Sequence, residues 1–291
     1  MAVKRKVIRS NVMGFCMGVK AVMGKVDKQI IHEDSNNLYT YGPLIHNPQV
    51  IEKLRLQGVE SIESPSDADG GTIIIRAHGI HPEDRKKFAE NGYKIVEGTC
   101  PRVLRSQKTV TRYSEDGWFI VIVGDKGHGE VKAIVGCAKK YAVILTESEA
   151  EALKFPEKTL VIAQTTLSQA EYDTICQILI RRDSSVKIIK SICPATSQRQ
   201  DSLKELTAEV DAVIVIGGKN SANTKRLHLS ALKEGLPSWH VESVEDLPEE
   251  IFKYETIGIT AGASTPDWMI DRIEAALSGS AISQEHLLKG Y

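Results

Sequence analysis

Five cysteines, Cys16, Cys100, Cys137, Cys176 and Cys193, carry the most reactive chemistry in this 291-residue chain. An odd number of them, with no secretory segment ahead, argues against a disulfide framework. Cys137 (IVGCAKKYAVIL) and Cys176 (EYDTICQILI) sit on apolar, periodic stretches and read as small buried hydrophobes. The other three lie in polar or glycine-bearing loops, GFCMGVKAV, GTCPRVLRS and SICPATSQRQ, each opening a helical stretch. No C-x-x-C pair is present, which argues against a zinc ribbon or a thioredoxin-type site. Thiolates so far apart in sequence meet only through the tertiary fold. Bound to a four-iron cluster, three of them would leave one iron without a protein ligand, free to act as a Lewis acid. Fully cysteine-ligated clusters mostly move electrons instead.

Three histidines occupy one kind of place: His46 in GPLIHNP, His78 in IRAHGIH and His128 in GDKGHGE. Each stands beside glycine or proline at or near a strand exit, where ligands bind in open α/β sheets. A single loop histidine is usually solvated or capping; three in equivalent settings point to a shared site. Hydroxyl and amide donors cluster similarly: Thr165 and Thr166 in AQTTLS, Ser221 and Asn223 in GGKNSANT, Ser264 in TAGASTP. The last two loops precede helices, whose amides and dipole favour an anion. Plain N-capping explains any one of these loops but not the histidines. GGKNSANTK lacks the P-loop spacing and GDKGHGE lacks G-x-G-x-x-G order, so a nucleotide is not the favoured ligand. Neutral donors of this kind suit a small diphosphate. Glu130, two residues after His128, reads either as a surface acid opening a helix or as a desolvated carboxyl that delivers protons.

The elements that must position these residues alternate between short apolar strands and amphipathic helices. Strands are predicted at 72–76, 119–123, 142–145, 159–163, 186–190, 212–216 and 256–260. Helices are predicted at about 17–32, 48–57, 82–91, 101–115, 129–138, 169–182, 195–208, 222–234 and 266–277. Ser264-Thr265-Pro266-Asp267 reads as cap residues followed by proline at the first helical position. Near-continuous apolar strands suit parallel sheets covered on both faces, and the alternation predicts an α/β fold. The near-equal spacing of the three loop cysteines predicts three similar α/β units with small, mostly parallel sheets around a shared centre. Their expected bounds are 17–99, 100–190 and 191–277, with residues 1–16 packing near the centre and 278–291 as a peripheral tail.

Composition narrows the class. A 42% hydrophobic, 26% charged chain is ordinary for a globular protein. Lys and Arg number 37 against 38 Asp and Glu, so no positive surplus favours nucleic acid or an anionic membrane. No apolar run reaches the roughly 18–20 residues that span a bilayer, and MAVKRKVIRSNVMGF lacks a signal-peptide core. A cytoplasmic location is expected, with no membrane and no nucleic-acid partner.

The motifs GFCMGV, GPLIHNPQV, RAHGI, GTCP, GHGEV, QTTLS, ICPATSQRQ, KNSANTKRL and TAGASTP stand in the order seen in the 4-hydroxy-3-methylbut-2-enyl diphosphate reductase family. The chain resembles that family from about Asn11 to about Leu277. The resemblance implies a trefoil of three α/β units around a 4Fe–4S cluster held by Cys16, Cys100 and Cys193. It implies diphosphate binding by His46, His78, His128, Ser221, Asn223 and Ser264, with Thr165 near the substrate hydroxyl and Glu130 as proton source. The expected reaction is the last step of the non-mevalonate isoprenoid pathway, yielding isopentenyl and dimethylallyl diphosphate. No flavin or nicotinamide motif is present, so electrons are expected from flavodoxin or ferredoxin. One departure is Ala222, where the family often has serine. A zinc-dependent hydrolase or lyase on the same residues, or a non-catalytic iron–sulfur carrier, is the alternative. The first lacks the usual zinc spacings and the second leaves the histidines and Glu130 unexplained.

Overall fold

The computed structural model describes residues 5–32 and 37–280. In chain order the elements begin with β1 (Lys6–Arg9), α1 (Met17–His32), β2 (Leu38–Tyr41), α2 (Pro48–Leu56) and β3 (Val59–Ile62). Next come β4 (Thr72–Ile74), α3 (Pro82–Glu90), β5 (Lys94–Val96), α4 (Pro101–Glu115) and β6 (Phe119–Val123). The chain continues through α5 (Gly129–Val135), β7 (Tyr141–Ile144), α6 (Glu147–Ala152), β8 (Thr159–Ala163), α7 (Gln169–Arg182) and β9 (Lys187–Ile188). It closes with α8 (Pro194–Thr207), β10 (Ala212–Ile216), α9 (Ala222–Lys233), β11 (Ser238–Val241), β12 (Thr256–Ala261) and α10 (Asp267–Ser278).

These strands form three four-stranded sheets, parallel throughout, with orders β3-β2-β4-β5, β7-β6-β8-β9 and β11-β10-β12-β1. The order is the same in all three: second, first, third, fourth. In the last sheet the fourth strand is β1, from the opposite end of the chain. In each sheet the order reverses between the first and third strands, and ligands bind outside the carboxyl ends at such a reversal. The loops leaving those strands hold His46 after β2, His78 after β4, His128 and Glu130 after β6, and Thr165 after β8. Ser221 and Asn223 follow β10, and Ser264 follows β12.

Two compact units contain the sheets. One takes in the described parts of Met1–Met23, Ile45–Glu52 and Pro194–Tyr291, and so holds the sheet of β1, β10, β11 and β12. The other, Gly24–Leu44 and Lys53–Cys193, holds the remaining two sheets. Central strands are apolar on both faces because helices cover both. Val121, Val123 and Val161 pack with Tyr172, Ile175 and Leu179 of α7, while Ile120, Ile122 and Leu160 pack with Val110 of α4 and Ile134 of α5. Ile214 and Ile259 meet Ile270 and Ile273 of α10; Val213 and Val215 meet Leu203 of α8 and Leu227 of α9. Each fully buried aliphatic side chain contributes roughly 1.5–3 kcal/mol.

Several boundaries differ from expectation for local reasons. Helix α5 stops at Val135, where Gly136 caps it, short of the expected 138. Only Lys187–Ile188 of the expected 186–190 pairs as strand. Ser264 and Thr265 do not cap α10: their hydroxyls donate to the carbonyls of His46 (3.3 Å) and Ile216 (3.0 Å), and Pro266 is itself the N-cap residue. Of the expected tail, Ser278 ends α10 and Gly279 closes it with a left-handed backbone; residues 281–291 lie outside the described residues. Among the described residues no helix is long and apolar enough to cross a membrane.

Candidate active site

One backbone contact recurs at all three loop cysteines. Each follows the fourth strand of a sheet and donates its amide to a carbonyl in the loop leaving the neighbouring third strand. Cys16 N–H reaches Ala263 O at 3.2 Å, Cys100 N–H reaches Ala77 O at 3.0 Å, and Cys193 N–H reaches Thr165 O at 2.9 Å. The acceptor residues are Thr165 itself or immediate neighbours of Ser264 and His78. Each cysteine also stands at a helix start, ahead of α1, α4 and α8. The unbonded first-turn amides favour a negatively charged ligand there, and Cys16 Sγ accepts from Val19 N–H at 3.5 Å.

In the unit built on β10 and β12, the structure gathers the loops of Cys16, His46, Ser221, Asn223 and Ser264. The His46 carbonyl accepts the Ser264 hydroxyl, and Asn47 Nδ2 donates to Ser264 O at 3.0 Å. A Cβ at Gly218 would overlap the His46 carbonyl, so only glycine lets these loops close. Ser221 caps α9, its Oγ accepting from Thr224 N–H at 3.3 Å. Asn223 is 6% exposed, and its Nδ2 has no hydrogen-bond partner among the described residues. A buried amide donor left in this way fits an acceptor from a ligand. Ala222 is the first residue of α9, so its amide is one of the helix's open first-turn donors.

In the other unit the structure links His78, Cys100, His128, Glu130, Thr165 and Cys193. The rings of His78 and His128 meet edge to face, centroids 5.1 Å apart. His128 Nδ1 accepts the Glu130 amide proton at 3.2 Å. A neutral imidazole accepting at Nδ1 carries its proton on Nε2, which leaves that nitrogen as a donor. Glu130 is buried at 2% exposure. It accepts Thr165 N–H on Oε1 at 2.7 Å and the Thr165 hydroxyl on Oε2 at 2.8 Å. The reading of Glu130 as a surface acid is therefore excluded.

Gln164 was not anticipated. Fully buried, it accepts the Asp125 amide on Oε1 at 2.9 Å and donates from Nε2 to Thr166 Oγ1 at 2.8 Å. It thus fixes the loop after β8 against the loop after β6, which brings Glu130 to Thr165. Thr166 is used in this bracing, so its hydroxyl is committed to structure. The signal for Gln164 was available: a polar residue directly after an apolar strand at a reversal of strand order. Cys176, 5% exposed, lies in the α7 core with its thiol pushed up to about 11 by burial. Burial likewise raises Cys137, whose Sγ–H donates to Ala133 O at 3.6 Å. None of the five cysteines is in a disulfide.

Three parallel sheets whose strand-end loops carry thiols, imidazoles and a buried carboxylate–hydroxyl pair define an α/β enzyme. The sequence profile described as LytB protein matches residues 7–278, and the chain belongs to the LytB family. A 4-hydroxy-3-methylbut-2-enyl diphosphate reductase from Treponema denticola is 42% identical over 283 residues, covering 92% of this chain and 98% of that one. The E-1-hydroxy-2-methyl-but-2-enyl-4-diphosphate reductase structure from Plasmodium falciparum superposes with a TM-score of 0.86 at 29% identity, over 91% of this chain and 86% of that one. A second structure, of (E)-4-hydroxy-3-methyl-but-2-enyl diphosphate reductase, terminal enzyme of the non-mevalonate pathway, gives 0.69 at 37% identity, over 94% and 99%.

Proposed function

We propose that the chain reductively dehydroxylates 4-hydroxy-3-methylbut-2-enyl diphosphate to isopentenyl and dimethylallyl diphosphate, the terminal step of non-mevalonate isoprenoid synthesis. The enzyme class follows from the family; the residue roles are our reading. The net reaction breaks an allylic C–O bond, consumes two electrons and two protons, and releases water. A one-electron carrier such as flavodoxin or ferredoxin supplies the electrons.

Cys16, Cys100 and Cys193 fit thiolate ligation of a 4Fe–4S cluster. All three are partly exposed and at helix starts. Cys137, though partly exposed rather than buried as its sequence suggests, follows α5 and has its thiol raised by desolvation; Cys176 is buried in α7 with its thiol raised likewise. When bound, such a cluster with three protein ligands supplies electrons and a Lewis-acidic iron. The chain's own residues do the rest. His46, His78, His128, Ser221, Asn223 and Ser264 bind the diphosphate, His128 through Nε2–H and Asn223 through its buried Nδ2. A proton on Glu130 reverses its hydrogen bond with Thr165, and the Thr165 hydroxyl passes its own proton to the substrate. We also read 17–99, 100–190 and 191–277 as three repeats of one unit, supported by the shared strand order of the sheets.

The observation that carries this reading is the buried Glu130–Thr165 contact, tied through the Thr165 carbonyl to Cys193. An electron carrier does not account for a proton-handling pair beside a thiol ligand, and a zinc hydrolase, which could use such a carboxyl, lacks the usual zinc-ligand spacings. Anaerobic purification with iron counting and a visible spectrum tests it. Cys16→Ser, Cys100→Ser and Cys193→Ser are expected to lose iron and turnover, with Cys137→Ser and Cys176→Ser keeping both. A colourless, redox-silent parent would end the reading.

A further inference from the structure

A guanidinium sits in an unusual place two residues before His78. Arg76 leaves β4 and lies over the ring of Tyr41, its Cζ 5.1 Å from the centroid. The Tyr41 hydroxyl donates to Asp84 Oδ2 at 2.8 Å, which fixes the ring that supports the cation. Two glycines lie against its edges. A Cβ at Gly129 would come within 2.7 Å of Nη2, and one at Gly42 within 2.8 Å of Nη1. Gly129 stands between His128 and Glu130, so their backbone rests directly on the guanidinium. Nε is buried and has no hydrogen-bond partner among the described residues.

Such a cation is a liability to the fold. Burial lowers its affinity for the proton, opposed through space by the Glu63 carboxylate, while neutral Tyr41 offers its ring; a guanidinium nevertheless stays charged. Replacing a half-buried charge of this kind by an apolar residue of similar volume removes the desolvation penalty it carries. Within the fold the charge faces the Tyr41 ring and Glu63; an anion bound to the histidine loops would give it a further partner.

We propose that Arg76 is a positioning residue for the diphosphate, seating the His128–Gly129–Glu130 start of α5 on its guanidinium and keeping a permanent positive charge beneath it. The proposal rests on the reading that His78 and His128 bind the diphosphate. It divides the work between two kinds of group: neutral imidazoles donate directly, and a cation beneath them favours the anion without contacting it.

The test uses iron-loaded enzyme, with inorganic diphosphate as calorimetric probe and thermal unfolding measured in parallel. Arg76→Met is expected to weaken diphosphate roughly tenfold or more, to raise KM with kcat little changed, and to unfold at the same or a higher temperature. Arg76→Lys keeps the charge and is expected to recover most of the affinity. Gly129→Ala, which retains Arg76 but pushes the start of α5 off it, is expected to weaken diphosphate as Arg76→Met does. A lower unfolding temperature with unchanged affinity in Arg76→Met would make the residue merely structural. His78→Ala separates the two levels. If it weakens diphosphate and Arg76→Met does not, the role of Arg76 falls and the site reading stands. If neither weakens it, both fall.

Discussion

Thr165 donates two hydrogen bonds to Glu130 in a setting almost closed to water, so neither group can be altered without leaving a buried partner unsatisfied. A buried polar atom left unsatisfied costs roughly 1–3 kcal/mol. The informative substitution is therefore the one that keeps the contact and removes the acidity. Glu130→Gln retains size and hydrogen bonding, and is expected to keep full iron content and near-normal substrate affinity while losing at least about a hundredfold in turnover. Steady-state rates beside iron and binding assays check this; turnover within a few-fold of the parent would remove Glu130 from proton delivery. The types of these residues were legible from sequence, but their pairing was not. Glu130 opens a short helix, where a solvated acid is common. Its burial depends on Gln164 drawing two strand-end loops together, a contact between residues far apart in the chain. Arg76 escaped notice for the same reason, since the glycines that receive it come from distant parts of the chain, the turn after β2 and the start of α5.

Strands buried on both faces announced themselves; among the edge strands β7 and β9 did so too, while β1, β3, β5 and β11 did not. AVIVI at β10 and FIVIV at β6 are apolar because helices cover both sides. KVIR at β1, VESI at β3, KIV at β5 and SWHV at β11 lie at edges, where polar and charged residues are tolerated, and none reads as a strand. Inner β2, LYTY, was missed because polar and aromatic residues interrupt it. This mattered for the site, because two of the three strands leading to the loop cysteines, β1 and β5, are among those missed. Edge strand β11 also supplies a pH dependence. His240 Nε2 lies 2.8 Å from the Gly217 carbonyl, at the start of the loop to Ser221. Burial holds its pKa below the ordinary 6.5, with the neighbouring His228 acting in the same direction. The unfolded chain therefore takes up the proton first as pH falls. This share of stability is complete above about 6.5 and declines as pH drops from there toward the folded-state value. Unfolding temperatures from about pH 7.5 to about 5.5 should fall less steeply in His240→Gln than in the parent. Parallel curves would rule the imidazole out.

Three sheets share one strand order, yet only two draw their strands from a continuous stretch. The third takes β1 from the start of the chain, pairing Lys6–Arg9 with residues 256–259 of β12, and seats Cys16 on Ala263. That equivalence was partly legible, because the cysteine spacing suggested three units. The borrowed strand was not, because KVIR carries no strand signal by itself. A chain ending at residue 250 would lack β12 while retaining all of the strands of the other two sheets. In such a chain, amides of β6 and β8 are expected to stay protected from hydrogen exchange, while those of β1 and β10 exchange as in an open chain. Protection at β1 without β12 would show that the pairing is dispensable. On the ribosome the same arrangement sets a timetable. Cys16 emerges long before its seat at Ala263. Until β12 and Ala263 have followed it out, that thiol waits unplaced, whereas Ala77 and Thr165, the seats of Cys100 and Cys193, are made before the cysteines they receive.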